Sequence, residues 1–270
     1  DRRLTKTLLN EGSCDLSYGL PGKARFRVNI FSQGGNLSIV LRKLESKIPT
    51  IEERNLPETM YKIAEEKNGL VCVTGATGSG KTTTLAAILD QINESKSVHV
   101  ITLEDPVEYQ HPHKKSTFNQ RELGLDYDTY AGGLQAALRQ VPKVILVGEM
   151  RDLETVHLAL TAAEMGILVM GTLHTNGAAA TVDRIINSFP ADKQAHIRTM
   201  ISTSLRGVIS QRIVPLAAGE GRAVAAEILI GTRTVRDFID RLDQAAKPAA
   251  ERDLAAAPAR LLAPMRRGPW

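Results

Sequence analysis

The chain has 270 residues, 43% of them hydrophobic and 24% charged, which is an ordinary globular composition with room for one large or two modest domains. Its net charge of +4 is too small to argue for a nucleic-acid partner, and its longest apolar runs fall far short of a membrane span. Two cysteines, Cys14 and Cys72, exclude both a disulfide framework and a four-ligand zinc site, which favours a reducing cytoplasm. No signal-peptide pattern is present, and a chain opening on Asp1 reads as a piece lacking its true N-terminus.

Residues 1–48 read as the end of a small α+β domain. Strand-like runs at 15–20 and 23–31 flank Pro21-Gly22, a hairpin signal. In the second run Phe26, Val28 and Ile30 alternate with Arg25, Arg27 and Asn29, so both arginines leave one polar face. That face is either simply solvated or functional. A turn at 33–36 leads to a third strand, 37–44, carrying Arg42. Residues 49–57 read as a linker, and residues 58–67 as a helix stopped by Asn68-Gly69.

From residue 70 the pattern alternates. Strand candidates at 70–74, 98–103, 144–148 and 167–172 are separated by helical periodicity at 81–93, 128–140 and 152–165. This predicts an α/β fold with a mostly parallel sheet and helices on both faces. After residue 177 come two helical stretches, then a strand pair at 212–216 and 222–230, then a helix over 232–242. Residues 243–270 are rich in alanine and proline and read as a disordered tail.

The chemistry is concentrated at Gly75-Ala76-Thr77-Gly78-Ser79-Gly80-Lys81-Thr82, a full match to G-x-x-x-x-G-K-[ST]. The apolar strand before it and the helical spacing of Leu85, Ile88, Leu89 and Ile92 after it supply the context a phosphate-binding loop needs. The glycines let the backbone wrap an anion, and the helix start offers unpaired N–H groups. Residues 75–83, including Thr83, are therefore read as the ATP-binding set. Lys81 would reach the β/γ-phosphates, and the Thr82 hydroxyl would ligate Mg²⁺.

Hydrolysis further needs carboxylates near the attacking water and the metal. Two acids stand at predicted strand ends. Glu104, in Thr102-Leu103-Glu104-Asp105-Pro106, sits where Pro106 stops a strand. Glu149 follows the apolar run Val144-Ile145-Leu146-Val147-Gly148, a Walker B shape with glycine in the usual aspartate position. Strand-end acids are common, but beside a complete phosphate loop both become site candidates, with Glu149 near the metal. His174 follows a third apolar strand. It either caps the next helix or senses the γ-phosphate. His111-Pro112-His113 is a loop rather than a metal pair.

Ile101 to Glu108, Asn119 to Glu122, Leu146 to Asp152 and Gly171 to Thr175 resemble, in order, the Asp box, its following segment, the Walker B segment and the His box of the secretion and pilus ATPases. Residues 21–30 and 46–57 are similar to the type IV pilus retraction (PilT/PilU-like) branch. The resemblance implies a partial PAS-like domain over 1–48, a linker at 49–57 and a RecA-like P-loop ATPase domain over 58–242. It implies a homo-hexameric motor that hydrolyses ATP to retract a pilus, at the cytoplasmic face of the inner membrane and against a platform protein. It assigns the catalytic glutamate to Glu104, the Walker B glutamate to Glu149 and arginine fingers to Arg27 and Arg42, acting on a neighbouring subunit.

Three motifs depart from the family. Val141-Pro142-Lys143 stands where Asp-Pro-Asp is usual, Ile167 replaces a histidine, and Asp240 replaces the second arginine of a retraction-linked signature. An assembly or secretion motor of the same superfamily is the alternative, although the CxxC…CxxC segment usual there is absent. A RecA-like nucleic-acid translocase would want stacking aromatics, and aromatic content is 4%. A nucleotide-binding regulator without turnover would have no use for both glutamates.

Overall fold

The computed structural model describes residues 2–216 and 221–241. The stretch at 243–270 expected to be disordered lies outside them. The chain opens with α1 (Arg2–Glu11), a helix with no expectation from the sequence, and an antiparallel sheet of β1 (Ser13–Leu20), β2 (Ala24–Gln33) and β3 (Asn36–Leu44). Leu16, Val28 and Leu41 are register partners on one apolar face of this sheet. Arg27 and Arg42 are direct partners on the other. The segment read as a linker is packed, with Ile51 and Leu56 buried in the same cluster as Met60 and Ile63 of α2 (Thr59–Glu65).

The remaining elements are β4 (Gly69–Thr74), α3 (Lys81–Ser95), β5 (His99–Glu104), β6 (Thr117–Glu122), α4 (Tyr130–Leu138), β7 (Val144–Val147), α5 (Leu153–Glu164), β8 (Leu168–Leu173), α6 (Ala178–Ser188), α7 (Ala191–Ser204), β9 (Leu205–Pro215), β10 (Arg222–Ile230) and α8 (Arg233–Arg241). Seven strands form one sheet in the order β10-β9-β4-β8-β7-β5-β6, parallel except for the antiparallel pair β9–β10.

The sheet is apolar because it is covered twice. Every residue of β4 is buried, as expected for a parallel strand with helices on both faces. Leu70 and Cys72 join the core under α4 to α8, while Val71 and Val73 join the core under α2 and α3. That split follows the two-residue period of a strand. Cys72 is fully buried, and burial pushes its thiol up to about 12, so it packs as a small apolar group.

Two further elements differ from the sequence expectation. β6 was not anticipated, because an edge strand with only Phe118 and Glu122 buried carries little apolar signal. β9 starts at Leu205, seven residues before the predicted strand, because pairing beside β4 in the sheet interior overrides the helical periodicity of that stretch. No helix among the described residues is long and apolar enough to cross a membrane.

Val141 closes the end of α4 with φ at +52°, a left-handed conformation that β-branched residues resist. Its side chain is 75% exposed, so it gains no packing in return. Asparagine tolerates this conformation and adds no negative charge at the helix C-terminus. Val141→Asn is expected to stabilise the protein by about 1 kcal/mol and Val141→Thr by nothing. Chemical denaturation of both variants checks this, and equal midpoints would refute the strain.

Candidate nucleotide site

Parallel pairing brings the chemistry to one edge of the sheet. Leu103, Val147, Gly171 and Cys72 stand level across β5, β7, β8 and β4. Glu104, Glu149, His174 and Gly75 follow them by one to three residues, at the carboxyl ends where open α/β sheets bind ligands. Glu104, Glu149 and His174 border a cleft of about 490 Å³, large enough for a nucleotide, with the loop that starts at Gly75 along its side. Arg27 and Arg42 of the N-terminal sheet line the same cleft.

The phosphate loop joins β4 to α3. Thr77, Gly78, Gly80, Lys81, Thr82 and Thr83 line the cleft, and the first turn of α3 aims its free N–H groups there. Gly75 and Ser79 are buried behind this surface, and Ala76 is exposed outside it. Lys81 Nζ donates to the Gly75 carbonyl at 2.9 Å and the Ala76 carbonyl at 3.1 Å. Burial lowers the pKa of this ammonium, and the nearby Glu149 charge opposes that shift. Gly75 has φ at +137°, and a side chain there would collide with the Gln211 carbonyl on β9. Gln211 Nε2 in turn donates to the Ser79 carbonyl at 2.6 Å. β9 therefore braces the loop from outside, a role for Gln211 that no local pattern signals 132 residues away.

Glu104 is 7% exposed. Its Oε1 accepts from Thr102 Oγ1 at 2.6 Å and from Gln120 Nε2 at 3.2 Å. The Tyr127 hydroxyl donates to its backbone carbonyl at 3.1 Å. Burial pushes the carboxyl up to about 7, with the Glu108 charge adding to the rise and the hydrogen bonds opposing it. Glu149 is different. Arg151 lies 2.6 Å from Oε2 and His174 Nε2 lies 3.2 Å from Oε1. Burial raises this carboxyl, but the Arg151 hydrogen bond and charge outweigh it, with His174 and Lys81 adding to the effect, and hold it below the usual range. Arg151 was missed in the sequence, although it stands only two residues beyond Glu149.

The structure explains the glycine at the usual Walker B aspartate position. A Cβ on Gly148 would sit 2.9 Å from the Leu103 carbonyl and 3.1 Å from the Tyr130 hydroxyl. The β5 backbone and the Tyr130 hydroxyl fill the space that an aspartate would take. Among the described residues no cluster of three acidic, histidine or cysteine side chains could hold a metal by itself. The oxygen donors present, the Thr82 hydroxyl and the Glu149 carboxylate, suit a hard cation that keeps phosphate and water as its other ligands.

The arginines divide. Arg25 does not line the cleft; its guanidinium clamps the Val107 carbonyl at 2.7 Å and the Glu108 carbonyl at 3.4 Å, tying the N-terminal sheet to the loop after β5. Arg27 and Arg42 do line it, in the same cleft as their own chain's Lys81 and Glu104. His113 Nδ1 accepts from the Phe118 N–H at 3.0 Å and His111 stacks on Phe118, so both are loop residues. Of the departures, Lys143 is exposed and Ile167 is in the core. Asp240 accepts from Ser202 Oγ at 3.4 Å and Thr199 Oγ1 at 3.5 Å, docking α8 on α7.

Residues 12–252 match the sequence profile of the type II/IV secretion system proteins, and the chain belongs to that family. It is 51% identical over 225 residues to the type IV pilus retraction ATPase PilT of Pseudomonas aeruginosa, an alignment covering 83% of this chain and 65% of that protein. It is 52% identical over 225 residues to a twitching motility protein of Neisseria gonorrhoeae, covering 83% of this chain and 60% of the other. The fold matches the crystal structure of the pilus retraction motor PilT with bound ADP at a TM-score of 0.87 and 46% identity, over 93% of this chain and 73% of that one. The Legionella pneumophila ATPase DotB matches at 0.85 and 32% identity, over 93% and 72%. The chain thus spans 65% and 60% of the length of the two curated relatives.

The raised Glu104 carboxyl predicts a pH-dependent stability. With a folded pKa of about 7 against an ordinary 4.5, the native state binds the extra proton, and the stability this gives is present below 4.5 and lost as pH rises through about 7. Glu104→Gln removes that ionisation. The variant is expected to be more stable than wild type at pH 8, by about 2–3 kcal/mol, and to show little gain at pH 4.5. Thermal melts at the two pH values check it, and an equal difference at both would show that the carboxyl is not raised.

Proposed function

We propose that this chain is the motor portion of an ATP-hydrolysing machine that retracts a type IV pilus. The carrying observation is a complete phosphate loop facing Glu104 and the Glu149–His174 pair across one cleft. The likeness to a pilus retraction ATPase supports the retraction branch. In this reading residues 75–83 hold ATP, with Lys81 on the β/γ-phosphates. Glu104 accepts a proton from the attacking water, and His174 orients Glu149 and meets the γ-phosphate. Thr82 and Glu149 would hold Mg²⁺, whose bound charge offsets that of the phosphates. Arg27 and Arg42 neutralise the transferring phosphoryl group in cis. The division into a PAS-like part (1–48), a linker (49–57) and a RecA-like part (58–242) belongs to the same proposal. So do the homo-hexameric ring, the platform-protein partner and the place at the cytoplasmic face of the inner membrane.

The tests belong on the full-length protein. Lys81→Ala is expected to abolish nucleotide binding while the fold survives. Glu104→Gln is expected to keep ATP affinity and lose turnover by a factor on the order of 10² or more. In wild type, kcat/KM for ATP should rise with pH through about 7, because the base must shed its proton first. Wild-type turnover in either folded variant would overturn the corresponding assignment.

Assembly has its own readouts. Turnover per chain should rise with protein concentration as rings form, as light scattering can follow. A monomer with full, concentration-independent activity would rule the ring out. Mixing Arg27→Ala with Lys81→Ala chains should restore nothing, since both groups serve the same chain's cleft. Recovered turnover would place the arginines on a neighbour.

A further inference from the structure

Two donors converge on a single oxygen of Glu104. Thr102 is two residues earlier on β5, hence on the same face, and is fully buried. Gln120 is its register partner on the edge strand β6. The Gln120 amide is committed on every side. Nε2 donates to Glu104 Oε1 at 3.2 Å and to the Tyr109 carbonyl at 2.8 Å, while Oε1 accepts from the His111 N–H at 2.8 Å. A flipped amide would set its oxygen against the Tyr109 carbonyl and its nitrogen against the His111 N–H, so the donor is fixed toward Glu104. The Thr102 hydroxyl donates to the same Oε1 at 2.6 Å.

A carboxylate turns easily about its last bond, and a base that turns presents its free lone pairs in varying directions. Pinning one oxygen with two donors from separate positions removes that freedom. We propose that Thr102 and Gln120 are positioning residues that anchor Glu104 Oε1 and so fix the direction in which Oε2 meets the attacking water. This rests on the reading of Glu104 as general base. Gln120 carries a second duty. By holding Tyr109 and His111 it fastens the loop after β5 to the edge strand, so the placement of the base depends on β6. Both donors also favour the ionised carboxylate, the form that accepts a proton.

The test uses the full-length protein with Thr102→Val, Thr102→Ser and Gln120→Leu, each made alone and together with Glu104→Gln. Steady-state kcat and KM for ATP are measured with the affinity for a fluorescent ATP analogue. Thr102→Val and Gln120→Leu are expected to lower kcat about tenfold while KM and affinity stay within about twofold, because misalignment affects the reaction and not binding. Thr102→Ser, which keeps the hydroxyl, should recover most of the rate. In the Glu104→Gln background the same changes should cost no more than about twofold further, since they act through the carboxylate. Wild-type kcat in folded Thr102→Val, or undiminished losses in the Glu104→Gln background, would overturn the positioning role. Gln120→Leu also removes two loop contacts, so the nearly isosteric Thr102→Val decides if it fails to fold. Wild-type turnover of Glu104→Gln alone would overturn the general-base reading and the positioning role with it.

Discussion

The parallel pairing of β5, β7, β8 and β4 is the constraint on which the rest of this structure depends. Each strand is mostly apolar and turns reactive at or just beyond its carboxyl end. Because the strands run in one direction and stand level, those endings meet. Glu104, Glu149, His174 and the phosphate loop come from four separate stretches of chain and border one cleft. The closeness of the pairing also removes an option. β5 lies near enough to Gly148 that a side chain there would strike the Leu103 carbonyl. The acid that serves the end of β7 therefore stands one residue later, at Glu149.

The two glutamates sit in opposed environments. Glu104 is surrounded by buried surface and neutral donors, and its carboxyl is pushed up to about 7. Glu149 lies between Arg151, His174 and Lys81, which together hold it ionised. Environments that drive two neighbouring carboxylates apart are the usual sign of different chemical duties. One is suited to take up and release a proton near neutral pH, the other to remain an anion beside a cation.

The N-terminal sheet accepts a local penalty. Arg27 and Arg42 face each other directly across β2 and β3, and like charges in that relation repel. The repulsion is tolerable where an anion is to be bound, and both residues line the phosphate cleft. Arg25 holds the sheet in this place through the Val107 and Glu108 carbonyls, part of the same loop that follows Glu104. Polar contacts thus link the arginine pair to the loop beside the base.

The sequence by itself determined the alternating architecture, because strands buried on both faces must be continuously apolar and the helices between them show their period. It also determined the phosphate loop, whose glycines, lysine and threonine are required by local backbone geometry alone. Glu104 and Glu149 were legible as acids ending apolar runs. Only the tertiary structure decided their partners. Gln211 braces the loop from β9, and Gln120 reaches Glu104 from an edge strand too polar to be read as one. It also paired Arg27 with Arg42 across β2 and β3 and brought both to the cleft, where the sequence placed only Arg27 on a polar strand face. Strand and helix periodicity report which side of an element is buried, a local property written every two or four residues. Which distant side chain completes a hydrogen bond depends on strand order and register, and those are set by the packing of the whole sheet.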